Sequence, residues 1–123
     1  ASPDTVRAMT PEMFFDYLAV HINGEKAADA KTVLNFDFGE DGGTYKVELE
    51  NGVLNHTAGV EASDADATIT LSRVVLNKIV LKEETLKEAT AKEDVKITGN
   101  AEKLNELLGY MDNFEFWFNI VTP

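Results

Sequence analysis

The sequence predicts one domain of the mixed α/β (α+β) class, with a mainly antiparallel sheet and helices on one face. Three observations support this prediction. Several short runs alternate apolar and polar residues at a period of two, which is typical of half-buried strands. Other segments repeat their apolar residues at helical spacing. The length of 123 residues suits one domain with one hydrophobic core.

The first helix is predicted to run from Pro11 to about Ile22. Thr10 is a preferred N-cap residue, and proline is favoured in the first turn of a helix. Phe14 and Leu18 then recur at helical spacing on one side of the segment. Gly24 is expected to end the helix.

Three strands follow the first helix. Residues 33–38 alternate apolar and polar side chains, and the glycine-rich residues 39–43 predict a turn after them. Residues 45–50 alternate strictly and give the second strand. Asn51-Gly52 is the preferred pair for a type I′ hairpin turn, because both central residues need a positive φ. The third strand is therefore predicted at residues 53–57.

The fourth strand is predicted at residues 67–71, where the alternation returns. The stretch from Leu34 to Leu71 is expected to form an antiparallel meander with one apolar face. Asp64-Ala65-Asp66 precedes the fourth strand and is interpreted as a solvated turn, because the glycine and remaining ligands of a calcium loop are missing. Val95 and Ile97 mark a short fifth strand.

The second half of the chain is mainly helical. Apolar residues recur at helical spacing from Ser72 to Val80, and a second amphipathic segment is predicted at residues 83–92. Asn100 is expected to cap a last helix with Leu104, Leu107, Leu108 and Met111 at i, i+3, i+4 and i+7 spacing. Residues 114–121 are rich in aromatic side chains and must dock on the domain or on a partner.

Charge and composition exclude several classes of function. The chain has 22 acidic and 11 basic residues and a net charge of −11, which disfavours nucleic acid and anionic headgroups as partners. An amphiphile is therefore expected to bind tail first. No apolar run is long enough for membrane insertion. The lack of cysteine excludes disulfides and thiol redox chemistry, but it does not fix the compartment.

Residues that could carry catalysis are few. A zinc site needs three or four ligands, and the histidines are only His21, expected near a helix end, and His56, expected on a strand surface. The serines at positions 2, 63 and 72 lack the Gly-x-Ser-x-Gly elbow of a nucleophile. We therefore predict no catalytic residue, metal or cofactor, and a free-standing hydrolase is nearly excluded.

Five stretches of the sequence resemble the carboxy-terminal domain of bacterial alkyl sulfatases, which has the sterol carrier protein type two fold. They are Arg7–Thr10, Phe14–Val20, Asn51–His56, Ala65–Leu71 and, most specifically, Asp112–Pro123. The resemblance covers the chain from about Thr5 to its last residue. None of these stretches is catalytic, so the resemblance identifies a domain rather than a reaction.

The resemblance implies a curved five-stranded sheet with helices on one side and an apolar cavity. It implies that residues 1–123 are one sterol-carrier-like domain at the C-terminus of a larger sulfuric ester hydrolase. In such enzymes a metallo-β-lactamase-like domain with a zinc pair performs the hydrolysis, and neither that domain nor its histidine motifs are present here. The compartment stays open: periplasmic or secreted with a typical parent enzyme, otherwise cytoplasmic.

The predicted function is to bind the aliphatic chain of an alkyl sulfate, fatty alcohol or other lipid without catalysing a reaction. The apolar helix and the aromatic segments would supply the lining, although the same side chains also suit an ordinary core. The alternative is an assembly domain whose aromatic C-terminal segment packs on a partner domain or subunit. The predicted ligand contacts are Phe36, Phe38, Val75, Ile79, Leu104, Leu108, Met111, Phe116, Trp117 and Phe118.

Overall fold

The structure, a computed structural model, describes residues 10–81 and 83–111. Within these residues, five strands and five helices follow one another along the chain. In order they are α1 (Pro11–His21), β1 (Lys31–Asp37), the single turn α2 (Gly39–Gly42), β2 (Thr44–Glu50), β3 (Val53–Ala58), β4 (Ala67–Leu71), α3 (Arg73–Val80), α4 (Leu86–Ala91), β5 (Val95–Gly99) and α5 (Ala101–Gly109).

The five strands form one sheet in the order β3-β2-β1-β4-β5. The pairs β1–β2, β2–β3 and β4–β5 are antiparallel, which confirms the mainly antiparallel sheet. The predicted meander is wrong in its last step. β4 does not pair with β3 but lies parallel to β1, with Leu34 opposite Ala67 and Phe36 opposite Ile69. β1 is therefore a central strand, between β2 and β4.

The crossover from β3 to β4, residues 59–66, explains this difference. Asn35 is 2% exposed, and its amide donates to the Ala62 carbonyl at 2.9 Å while its oxygen accepts from the Ala62 N–H at 2.8 Å. Further along, the Asp66 carboxylate accepts from the Val33 N–H at 2.9 Å. The crossover is thus fixed to β1 at two points. The interpretation of Asp66 as a solvated turn residue is wrong, since its side chain holds this connection.

The long helices begin where their capping residues predict. Thr10 and Ser72 accept from the backbone N–H groups three residues ahead and begin α1 and α3, and Asn100 accepts from Glu102 N–H and begins α5. α4 is shorter than the predicted segment at residues 83–92, because Thr85 caps it and places residues 83 and 84 before the helix.

The hairpin between β2 and β3 has the predicted turn. Asn51 and Gly52 have φ values of 56° and 75°, as a type I′ turn requires. Gly52 is also required by close approach, because a Cβ atom there would lie 2.9 Å from the Gly24 carbonyl oxygen. The hairpin tip is thereby packed against the turn that follows α1.

The core lies between one face of the sheet and helices α1, α3, α4 and α5. Alternate residues of the strands point to this face and are buried, as in Phe36 on β1, Val47 on β2 and Ile69 on β4. Residues of the opposite face are mostly polar, for example Lys46 and Thr68. The two-layer arrangement with helices on one face is as predicted.

Replacing Asn35 by alanine should lower the free energy of unfolding by about 2 kcal/mol or more, because both backbone groups of Ala62 would lose their buried partner. Urea unfolding followed by circular dichroism measures this loss. Asn55→Ala on the exposed side of β3 is the matched control, with an expected change within about 0.5 kcal/mol. Equal stabilities of the two variants would contradict a fixed crossover.

Candidate functional site

An apolar cavity of about 20 Å³ lies between the sheet and the helical layer. β1 and β4 form its floor, and α1, α3, α4 and α5 form its walls and roof. Every lining side chain is apolar. The lining consists of Phe14, Leu18, Phe36, Ile69, Leu71, Leu76, Ile79, Leu86, Leu104, Leu107 and Leu108.

The size of the cavity decides what it can hold in this state. A volume of 20 Å³ accommodates little more than one water molecule, and a water needs polar partners that this lining does not offer. Sites for chain-like ligands are usually about 300–1,000 Å³. The cavity is therefore narrow and dry, and an alkyl tail would have to displace side chains to enter it.

Helical spacing explains which side chains reach the cavity. Leu76 and Ile79 lie three residues apart on α3, and Ile79 is 0% exposed. Leu104, Leu107 and Leu108 form the corresponding stripe on α5. The polar residues of both helices lie on the opposite side. The roof thus consists of flexible aliphatic chains, while the floor includes Phe36 on β1.

Four of the ten predicted ligand contacts line the cavity. They come from three different elements, namely β1, α3 and α5, and the fold brings them together around one space. These residues are Phe36, Ile79, Leu104 and Leu108. As ligand contacts they remain predictions, as do the other six residues.

Three further predicted contacts are buried but do not line the cavity. Phe38 packs in an aromatic cluster, with its ring 6.2 Å from that of Phe36 and 5.9 Å from that of Tyr45. Val75 lies in the core on α3. Met111 follows the end of α5 and forms a β-bridge with Ile22, which joins the ends of α1 and α5. The other three, Phe116, Trp117 and Phe118, lie outside the described residues.

Seven lining residues were not among the predicted contacts. Leu107 belongs to the stripe of α5, and its spacing predicted only that it would be buried. The others come from α1, β4, α3 and α4, which the sequence identified as amphipathic without showing that they face a common space. The seven are Phe14, Leu18, Ile69, Leu71, Leu76, Leu86 and Leu107.

α4 is fixed at both ends although it has only six residues. At its start the Thr85 hydroxyl accepts from Glu88 N–H, and the Glu88 carboxylate accepts from Thr85 N–H at 2.9 Å. This capping box holds the pKa of Glu88 below its usual value of 4.5, because hydrogen bonds from Thr85 favour the charged carboxylate. At its end, Glu93 adopts a φ of 64° in the left-handed region.

The two ends of α4 are also joined to each other. Lys92 Nζ lies 2.6 Å from Oε2 of Glu84, whose side chain is only 5% exposed. The Glu84 carboxylate raises the pKa of Lys92 through this hydrogen bond and its charge. The Asp94 N–H donates to the Ala89 carbonyl at 2.8 Å, which completes a Schellman motif around Glu93. The backbone of α4 is thus held in place beside the cavity.

An open groove of about 350 Å³ lies on the outer side of α4 and α5. Its surface is part apolar and part polar, with one cationic side chain. Leu86 and Leu104 belong both to this groove and to the narrow cavity. The groove is lined by Leu86, Lys87, Thr90, Ala91, Ile97, Ala101, Leu104 and Asn105.

The histidines are used in packing. The His21 ring lies 4.2 Å from that of Tyr17 in the last turn of α1, near the predicted helix end. The expectation that His56 is a surface residue is wrong, because its ring lies 5.5 Å from Phe15 and its side chain is only 21% exposed. Across residues 10–81 and 83–111, no three His, Cys, Asp or Glu side chains cluster as metal ligands would.

Comparison with known proteins identifies the domain. The family described as alkyl sulfatase C-terminal matches residues 1–123. The chain belongs to this family. The domain is 54% identical over 123 residues to a linear primary-alkylsulfatase of Pseudomonas sp, a match that covers all of this chain and 18% of the relative. The alkyl sulfatase C-terminal domain thus spans about a fifth of the length of its curated relatives.

Solved structures agree with the alkyl sulfatase C-terminal family and with the predicted fold. A stereoselective inverting sec-alkylsulfatase from Pseudomonas sp. matches with a TM-score of 0.79 and 36% identity, over 95% of this chain and 18% of that one. Palmitated SCP2L2 from Aedes aegypti matches with a TM-score of 0.56 and 16% identity, over 80% of this chain and 91% of that one. The second likeness establishes the sterol carrier protein fold.

Among the residues that the structure describes, no helix has both the length and the apolar character of a membrane-spanning helix.

The capping box of α4 should make stability depend on pH. Because the folded pKa of Glu88 is lowered, its charged form stabilises the fold above about pH 4.5, and this contribution is lost as the pH falls through the folded pKa. The unfolding free energy of wild type minus that of Glu88→Ala should therefore shrink on acidification. Urea unfolding at a series of pH values measures this difference.

Glu88→Gln is the matched control, because glutamine can fill the same position of a capping box but does not titrate. The difference between Glu88→Gln and Glu88→Ala should stay constant with pH. A wild-type advantage over Glu88→Ala that grows on acidification would contradict the assignment.

Proposed function

We propose that this domain binds the aliphatic tail of an amphiphile between its sheet and its helices. The observation that carries the proposal is the narrow cavity, whose lining is apolar throughout. Phe36, Ile79, Leu104 and Leu108 would contact the tail directly. The fold supports the same function, since SCP2L2 from Aedes aegypti with this fold is a palmitated protein. An alkyl sulfate or a fatty alcohol would provide a tail of the required chemistry.

Energetics favour a weak complex. A twelve-carbon tail gains about 10 kcal/mol at roughly 0.8 kcal/mol per buried methylene. Association costs roughly 4–15 kcal/mol, and here the cavity must also expand. The balance is small, so the isolated domain is expected to bind in the micromolar to millimolar range. Such binding still contributes when the head of the same molecule is held nearby, because the tail is then at high effective concentration.

The charge of the domain supports a model in which the head and the tail of the amphiphile are bound by different parts of a protein. With a net charge of −11, the surface repels a sulfate or carboxylate head, whereas the cavity accepts only apolar groups. We infer that the head is held by another part of a larger alkyl sulfatase, of which this chain would be a C-terminal domain. The metallo-β-lactamase-like domain implied by the family resemblance is the proposed partner. Phe116, Trp117 and Phe118 are proposed to cover the tail.

A specific observation favours assembly as a second function. Val20 is 79% exposed and Met13 is 48% exposed, and the two lie seven residues apart on the same side of α1. This spacing aligns them along a helix. An apolar stripe at this place suits contact with a neighbouring domain. In this alternative the cavity would be a packing defect rather than a site.

Binding should appear when a nonionic detergent such as decyl maltoside is added below its micelle concentration. The heat measured by calorimetry should reach saturation as detergent is added. The change in emission of Trp117, the sole tryptophan, should do the same. Leu108→Asp places a charge in the cavity wall and should weaken binding at least about tenfold. Leu108 is only partly buried, so the variant is expected to fold.

Val74→Asp is the matched control, because Val74 is 64% exposed and does not line the cavity. It should bind like wild type. If neither the calorimetric heat nor the Trp117 emission changes up to millimolar detergent, tail binding is refuted and assembly is the better account.

The purified chain should hydrolyse no sulfate ester. Among the described residues there is no group of three metal ligands, and both histidines pack against aromatic rings. Incubation with dodecyl sulfate, with and without added zinc, should release no more sulfate than buffer does. Turnover that followed this chain through purification would overturn the expectation.

A further inference from the structure

We infer that the side chains of Leu86 and Leu104 form a gate through which an alkyl tail passes from the outer groove into the narrow cavity. This inference rests on the proposed function, because it names the route to the same site. The two leucines are the lining residues that groove and cavity share. They are 6% and 5% exposed, so they separate the cavity from the groove.

The groove has the properties of an outer vestibule. Its volume of about 350 Å³ falls in the range of ligand sites, whereas the cavity behind it is far smaller. Ile97, Ala91 and Ala101 provide apolar surface along it. Thr90 and Asn105 provide neutral polar groups, and Lys87 provides a cationic one. An amphiphile can therefore pass along the groove with its tail pointing toward the two leucines.

Among the described residues, the floor and the α1 wall offer no comparable route. The floor is the hydrogen-bonded sheet, where Phe36 on β1 and Ile69 on β4 lie in adjacent positions. At the α1 wall, the helix packs against the sheet through Phe15, which is 1% exposed. A tail that entered there would have to separate secondary-structure elements. At the gate it has to displace only two side chains.

The fixed backbone of α4 favours gating by side chains rather than by movement of the helix. The capping box of Thr85 and Glu88 holds the first turn, which includes Leu86. The Glu84–Lys92 ion pair and the Schellman motif hold the other end. Rotation of a leucine side chain leaves all of these contacts in place. Such rotations are fast compared with motions of whole elements.

The gate can be tested from the surface side without disturbing the core. Ala91 is exposed and lines the groove, so Ala91→Phe would fill the groove in front of the leucines. Stopped-flow mixing with a neutral dansyl amide of decylamine, followed by dansyl emission, gives the association rate. Ala91→Phe should slow association by about tenfold. Ala28→Phe, at an exposed alanine outside the groove, should leave it unchanged.

A second variant acts on the gate itself. Leu104→Ala removes one of the two side chains and should raise the association rate, and it should raise the dissociation rate further because a contact with the tail is also lost. Leu76→Ala is its control, because Leu76 lines the cavity but not the groove. It should alter the dissociation constant without raising the association rate. If a core variant does not fold, the comparison of Ala91→Phe with Ala28→Phe decides alone.

The outcomes separate the gate from the proposed function. If wild type binds the dansyl amide but Ala91→Phe and Ala28→Phe associate at the same rate, the gate is overturned and tail binding stands. If wild type shows no binding of the dansyl amide or of decyl maltoside, the proposed function fails and the gate fails with it. If Ala91→Phe associates more slowly than wild type and Ala28→Phe does not, the result supports both the gate and tail binding.

Discussion

The hydrogen bonds between Asn35 and Ala62 are the constraint on which the arrangement of this domain depends. They hold the crossover that brings β4 beside β1 instead of β3. Because of that placement, Ile69 lies next to Phe36 under the helices, and both line the cavity floor. A meander would place β2 and β3 between these two side chains. A buried polar contact on the outer face of the sheet thus determines the apolar space on its inner face.

Most of the fold could be predicted because its signals are local. Thr10, Ser72 and Asn100 mark the starts of three helices, and Asn51-Gly52 fixes the hairpin through its positive φ values. Alternation then assigns the strands. The position of β4 could not be predicted in this way, because a period of two gives the buried face of a strand but not its neighbour.

The candidate site was only partly predictable, for a related reason. Apolar spacing identifies buried side chains, and both core and pocket residues satisfy that condition. Leu104 and Leu107 share a helical stripe with Met111, yet Met111 lies past the helix end and joins it to Ile22 instead of reaching the cavity. Whether a residue of this stripe lines the cavity or lies outside it depends on where the helix ends. Nothing in the sequence distinguishes Leu86 from other buried leucines, because its place in the lining follows from the position of α4 over the sheet.

The parallel pairing of β1 with β4 also has a consequence for how the chain folds. Val33 and Asp66, which are joined at this pairing, lie 33 positions apart, whereas β1, β2 and β3 are connected by short turns. Closing the longer loop costs more chain entropy, and contacts between distant residues slow folding. We expect the three-stranded half to assemble early and the half with α3, α4 and α5 to join later. The half that assembles last is the one that contains the two leucines of the proposed gate.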